Sequence, residues 1–278
     1  MKQKKFKKRF VFRPARLFKH LVLILVAFIS AFPFYWMLSA ATNNTTDIIK
    51  GQMLPGNYLL ENWKALTAAG KIGPAFYNSV RNASLLTIAS MFVSSLAGYG
   101  FVIFHDKWKN RVMGILMLSM MIPPAATLIP LFRMFSQAGL LNSVAGFMLP
   151  SIATVFLIFM FRQAAQTFPF EIVQAARIDG LGEFRIFLRM FVPIMKPTYA
   201  AAAIVTFMNA WNSYLWPLVV MQSPSELTLP IYAASFRGGY VLDYGVIMLV
   251  VTISTIPMLV IFFTLQKNFV EGILGSVK

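Results

Sequence analysis

Apolar stretches of membrane length recur along this chain of 278 residues, separated by shorter polar segments. Six runs stand out, at 21–41, 82–104, 112–132, 142–161, 198–221 and 244–266, and none contains Lys, Arg, Asp or Glu. A helix rises about 1.5 Å per residue, so about 20 apolar residues cross the roughly 30 Å of lipid hydrocarbon. One charge at the centre of such a helix costs about 2.5–3.5 kcal/mol, so six charge-free runs predict six transmembrane helices. The first run exceeds the roughly 7–15 residues of a signal-peptide core and is expected to be a retained helix. Prolines punctuate the runs at 33, 123, 124, 130, 150, 217 and 257. Each removes a backbone donor and tends to kink its helix. The third run, with Pro123, Pro124 and Pro130, is the most irregular. It reads either as an ordinary proline-bearing membrane helix or as a break lining a cavity.

Composition agrees with a lipid environment. The chain is 58% hydrophobic and 12% charged, with mean hydropathy +0.68, against roughly a quarter charged residues in soluble domains. The formal net charge of +16 would fit a nucleic-acid binder, but its distribution does not. Nine Lys and Arg precede residue 20, directly before the first apolar run, as a cytoplasmic anchor in contact with anionic headgroups requires. With that end inside, the cytoplasmic segments hold 19 of the 25 Lys and Arg and the outer ones six: Lys50, Lys64, Lys71, Arg81, Arg133 and Arg237. Both termini are therefore expected in the cytoplasm. A basic N-terminal segment at 1–20 precedes a membrane domain at 21–278. The absence of cysteine excludes disulfides and thiol chemistry, and His20 and His105 are too few for a histidine metal site. No span carries the buried acid or base that ion-coupled carriers use, and no nucleophile or acid–base pair marks an enzyme.

The connection from 162 to 197 is long for a loop, which points to function. It reads as two short helices. The first opens after Pro169 and carries Glu171, Ala175 and Asp179 at intervals of four, one face, with Ala176 beside them. Acids flanking small alanines make a surface that another protein can approach closely. Gly180 ends this helix and Gly182 adds a bend. The second, at 183–191, carries Arg185 and Arg189 with four apolar side chains. From the residues alone, an interfacial hairpin without a partner remains an equal reading.

The set Glu171, Ala175, Ala176, Asp179 and Gly180, followed by Pro193 and Pro197, resembles the EAA loop of bacterial ABC importer permeases, E-x-x-x-A-A-x-x-D-G with an apolar-Pro segment after it. Asn78-Ser79-Val80, Ile129-Pro130-Leu131-Phe132, Gly139 to Ser143, Trp211 to Leu218 and the tail from Phe269 to Lys278 resemble the carbohydrate, maltose-type branch, in particular the second permease of a heterodimeric pair. The resemblance implies an all-α membrane protein with the type I ABC importer permease fold. It also implies that the loop is a coupling helix docking on an ATPase. The implied partners are a second permease, two ATPase subunits and an extracytoplasmic sugar-binding protein that docks on the segments at 42–81 and 222–243. No G-x-x-x-x-G-K-[ST] loop is present, so no ATP site is expected in this chain; ATP and Mg belong to the partner ATPase. Membrane lipid is a further partner, nucleic acid is not.

In the fifth run, Asn209, Trp211, Asn212, Ser213 and Tyr214 form a candidate substrate path. Sugars are held by neutral hydrogen-bonding groups and aromatic faces, and 209, 212 and 213 share one helical face. An interfacial aromatic belt and interhelical asparagine bonds are the competing readings. An importer permease for a non-sugar solute, and an ion-coupled carrier, remain the alternatives.

Overall fold

The computed structural model describes residues 14–68, 70–104, 106–236 and 242–275, with side chains from residue 18 to 266 within them. The basic block before Pro14, His105, Arg237 and the last three residues lie outside the described residues, as do the side chains of the predicted C-terminal motif. Every regular element among the described residues is helical.

By contacts the chain divides into two compact units, one of residues up to Trp63 with Asp243–Thr252, the other of Lys64–Leu242 with the residues from Ile253 on. The first contains α1 (Pro14–Ala40), α2 (Thr45–Ile49) and the start of both α3 (Leu59–Ala68) and α15 (Tyr244–Gly275). α1 keeps Pro33 inside it, and its side chains from Phe18 to Leu38 are exposed or only partly covered, whereas Ser39 and Ala40 at its end are buried. Asn44 caps α2 by accepting from the Asp47 N–H at 2.8 Å. The loop between α2 and α3 is tied by asparagine amides. Asn43 donates to the Ser39 and Leu54 carbonyls at 3.0 Å each, and Asn62 donates to the Ala41 and Asn43 carbonyls at 2.9 and 3.0 Å. Asn62 also packs against Gly245 so closely that a Cβ there would lie 2.6 Å from its amide nitrogen. Asp243 accepts from the Val246 N–H at 3.1 Å and holds the start of α15.

The second unit is organised on α4 (Ile72–Ile103), 32 residues long and so about 48 Å. It starts ten residues before the predicted span and runs through Arg81, whose charge is matched by Glu226 at 2.8 Å. Its buried positions are mostly small or polar: Ser90, Ser94, Ser95 and Gly98 let neighbours approach. α8 (Val155–Ala165) and α12 (Lys196–Trp211) pack along it.

The third, fourth and fifth apolar runs are not straight helices. The third is α5 (Lys107–Ser119) and α6 (Pro124–Gln137), turning by 98°. Pro123 is extended, at ψ 131°, and Pro124 opens α6, where its missing N–H costs nothing. The fourth is α7 (Val144–Met148) with a 3-10 turn to Ser151, then α8 after a 53° bend at 152–154. The fifth stops at Trp211; three residues later α13 (Leu215–Val220) begins. Pro217 has no N–H for the carbonyl of residue 213 and its ring crowds it, which favours the interruption there. Among the described residues three helices are long and apolar enough to cross a membrane, and counting three bent pairs as one span each gives up to six, the third pair being the helix at 183–194 with α12, bent by 82°. α9 (Phe170–Ile178), α10 (Glu183–Ile186), a π turn at 187–191 and α11 (Val192–Ile194) build the long loop, and α14 (Leu229–Ser235) precedes α15. The predicted second loop helix is thus longer, and its π turn lies just ahead of Pro193, which cannot donate into a regular ladder.

Candidate functional site: an exposed loop helix and a polar cavity

The long loop rests on a single apolar cluster. Tyr99 and Ile103 from α4, Ala165 and Phe168 after α8, Val173 and Ala176 from α9, and Ile186, Phe187 and Phe191 beyond it are all buried together. The Tyr99 ring meets those of Phe187 and Phe191 edge-on at 5.5 and 5.1 Å, and Phe168 meets Phe191 at 5.4 Å. Positions 173 and 176, three apart, give α9 one buried face. The opposite face, with Glu171, Gln174, Ala175, Ile178 and Asp179, is exposed. The structure therefore separates the two alanines: Ala175 is on the free surface, whereas Ala176 packs inward.

The ends of α9 are set by local chemistry. Glu171 lies in the first turn, where the helix dipole favours a carboxylate. At the far end Gly180 takes φ +78°, its N–H donates to the Arg177 carbonyl at 3.0 Å, and the Leu181 N–H donates to the Ala176 carbonyl at 2.9 Å. This left-handed closure suits glycine because it has no Cβ. Arg177 fixes the helix sideways. Its Nε donates to Glu183 Oε1 at 2.7 Å, and its guanidinium lies 5.9 Å from the ring centres of Phe104 and Phe170. The hydrogen bond to Glu183 raises the Arg177 pKa further above its ordinary value. The contact with Phe104, 73 positions away, was not legible in the sequence.

A cavity of about 220 Å³ opens between the bend at 152–154 in the fourth run and the interruption at 212–214 in the fifth. Ser151 at the end of the 3-10 turn and Thr154 before α8 border it, with Thr206 and Asn209 from the last turns of α12, Ser213 from the break after it and Trp216 from α13. Leu86 of α4, Phe147 and Phe156 supply apolar wall. Two of the five predicted path residues, Asn209 and Ser213, meet here. Trp211 is buried elsewhere: its indole N–H donates to the Ser254 carbonyl at 3.0 Å, and its ring stacks on Phe207 at 5.7 Å. Asn212 is the exposed C-cap of α12, and Tyr214 lies half-exposed in the break, outside the cavity wall. Thr206 and Thr154 were missed, although 206, 209 and 213 recur at helical spacing.

The polar positions of the other family-like segments tie loops. Asn78 Nδ2 donates to the Ser225 and Leu227 carbonyls at 2.7 and 3.1 Å, Ser79 Oγ accepts from the Leu229 N–H at 2.7 Å, and Asn142 Oδ1 accepts from the Ser223 N–H at 2.7 Å. Among the described residues no group of three or more His, Cys, Asp or Glu is placed to hold a metal ion.

Broken membrane-length helices around a cavity with an uncharged lining, and a short helix held on an aromatic cluster, fit a membrane transport subunit. Residues 90–275 match the family of binding-protein-dependent transport system inner membrane components, and the chain belongs to that family. It is a multi-pass component of the bacterial inner membrane and an ABC importer permease, a subunit class whose ATPase activity lies in a partner. Its relatives include the lactose transport system permease protein LacG of Rhizobium radiobacter, 46% identical over 92% of this chain and 94% of that one. The arabinooligosaccharides transport system permease protein AraQ of Halalkalibacterium halodurans is 32% identical over 91% and 93%. The sn-glycerol-3-phosphate transport system permease protein UgpE of Salmonella typhi is 32% identical over 96% and 98%. In fold the structure matches a chain of a bacterial ABC transporter involved in the import of the acidic polysaccharide alginate. The TM-score is 0.80 over 94% of this chain and 100% of that chain, at 18% identity.

Proposed function

We propose that this protein is one of two different permeases forming the path of an ATP-driven importer of sugars, oligosaccharides among them. Both termini face the cytoplasm, as the 19-to-6 division of basic residues favours. Two ATPase subunits bind ATP and Mg and drive the pair, and α9 docks on one of them through Glu171, Ala175 and Asp179, with Gly180 shaping the turn and Ala176 seating the helix. An external sugar-binding protein delivers the solute, which passes along the wall formed by Asn209 and Ser213. The carrying observation is the division of α9: an acid-flanked face free of contacts, on a helix whose other face is locked into the cluster around Tyr99 and Phe191. Sugar as solute is supported by the named substrates of LacG and AraQ and by a cavity lined with uncharged groups. A phosphorylated solute such as that of UgpE would call for a cation, and the cavity wall has none.

The test is co-purification of the cognate ATPase with the permease pair. Reversing charge at Glu171→Arg and Asp179→Arg is expected to remove the ATPase while the two permeases still assemble in the membrane. Equal ATPase capture by native and reversed forms overturns the docking role.

A further inference from the structure

The last turns of α4 and the first of α5 frame a groove of about 250 Å³ that the chain leaves unfilled. Its wall is apolar, formed by Ala97, Gly100, Phe101, Phe104 and Val112. Gly100 deepens it, since a Cβ there would meet nothing within 4 Å. One cation borders this wall. Lys109 is half-buried, whereas its neighbours Lys107, Trp108 and Arg111 are exposed. The Lys109 ammonium donates to the Phe104 carbonyl and lies 5.4 Å from the centre of the Phe104 ring. An ammonium has three donors, so two are left for another acceptor. Lys107, Lys109 and Arg111 have no ion-pair partner among the described residues. The neighbouring acid, Asp106, accepts from the Trp108 N–H as the cap of α5. Three cations against one acid leave the segment 106–111 with an excess of positive charge.

Wall and charge together select the occupant. At the end of a membrane helix an apolar wall meets hydrocarbon and the cations meet headgroups. Trp108, with the Arg111 guanidinium 5.9 Å from its ring centre, suits the level between them. One turn of a helix, about 10 Å across and about 5.4 Å high, fills about 420 Å³. A groove of about 250 Å³ therefore seats a bare acyl chain better than a helix of another subunit. A zwitterionic headgroup would bring a cation of its own to Lys109, whereas an anionic one brings only the missing charge. We infer that this permease holds an anionic phospholipid at the junction of α4 and α5, with one acyl chain in the groove at Gly100 and the headgroup phosphate on Lys109. Lys107 and Arg111 add attraction at the mouth, about five-fold in occupancy for each cation near an anionic headgroup.

The experiment uses the assembled importer in phosphatidylcholine vesicles that contain a minor share of phosphatidylglycerol. One lipid at a time carries a photoreactive group on its acyl chain, and the labelled peptides are mapped after illumination. At equal probe concentration, phosphatidylglycerol is expected to label residues 97–112 more than phosphatidylcholine does. Lys109→Gln keeps a donor for the Phe104 carbonyl and removes the charge; it should lower the phosphatidylglycerol label about five-fold, and Lys109→Arg should keep it. Gly100→Leu fills the groove from an open position and should lower the label while the importer still assembles. Equal labelling by the two lipids, or a phosphatidylglycerol label that survives both Lys109→Gln and Gly100→Leu, reduces the groove to ordinary lipid contact and overturns the site. No label at 97–112 from either lipid overturns it as well, because another subunit then covers the groove.

Discussion

Gly98 is where α4 and α8 come closest, and a single methyl group there tests the packing that carries the loop helix. A Cβ at Gly98 would lie 2.6 Å from the Phe161 Cβ, 2.8 Å from the Phe161 carbonyl carbon and 2.8 Å from the Arg162 nitrogen. Ordinary contact begins at 3.4 Å, so Gly98→Ala must part the helices by about 0.8 Å. Two of the three atoms are backbone, so no side-chain rotation relieves the clash. Overpacking of this kind costs about 1–3 kcal/mol, offset by the roughly 1 kcal/mol by which Ala exceeds Gly as a helix former. The net expectation is a loss of up to about 2 kcal/mol. Gly100, half a turn away, is the control: a Cβ there meets nothing within 4 Å, so Gly100→Ala gains helix propensity without a clash. Because Tyr99 and Ala165 join the cluster under α9, parting α4 from α8 should also loosen the loop helix. Thermal unfolding of the purified permease pair in detergent, followed by loss of solubility, gives the stability order. Gly98→Ala is expected below native and Gly100→Ala at or above it. Cross-linking of α9 to the ATPase should fall only in the first. Equal stability of Gly98→Ala and Gly100→Ala would refute the close-packing argument.

Two further perturbations address the polar ties. Asn62→Leu leaves the Ala41 and Asn43 carbonyls without their donor in a buried site; a loss of about 1–3 kcal/mol is expected, and protease cleavage in the 42–58 segment should rise, whereas unchanged protection would show that the amide is dispensable. Arg81→Glu alone sets two carboxylates together; Arg81→Glu with Glu226→Arg restores the pair. At 23% and 26% side-chain exposure the pair is worth no more than about 1 kcal/mol, so uptake should drop in the single variant and recover in the swap. No recovery would mean that position, not charge, matters.

The chain's local patterns carry much of this protein. Charge-free runs of membrane length follow from the transfer cost of charge and need no tertiary contact to be read. The loop glycine at 180 is equally local: a helix that closes left-handed wants a residue without Cβ. The periodicity of Glu171, Ala175 and Asp179 placed one face of α9, because residues four apart share a face in any helix. Which prolines break their helix was not local. Pro33, Pro130 and Pro257 stay within continuous helices, whereas Pro123–Pro124 accompanies a 98° turn and Pro217 a break. A lost hydrogen bond is tolerated or not according to what surrounds it.

Tertiary structure alone decided the inward side of each helix. Ala175 and Ala176 are adjacent and chemically identical, and only the aromatic cluster from α4 and the 186–191 segment makes one exposed and the other buried. Trp211 and Asn209 are two residues apart, yet one fills the interior against residues 254 and 207 while the other borders the cavity. Arg81 finds Glu226 across 145 positions. Helical spacing places side chains relative to their own axis; the rotation of that axis toward core, lipid or cavity is set by segments far away in the chain.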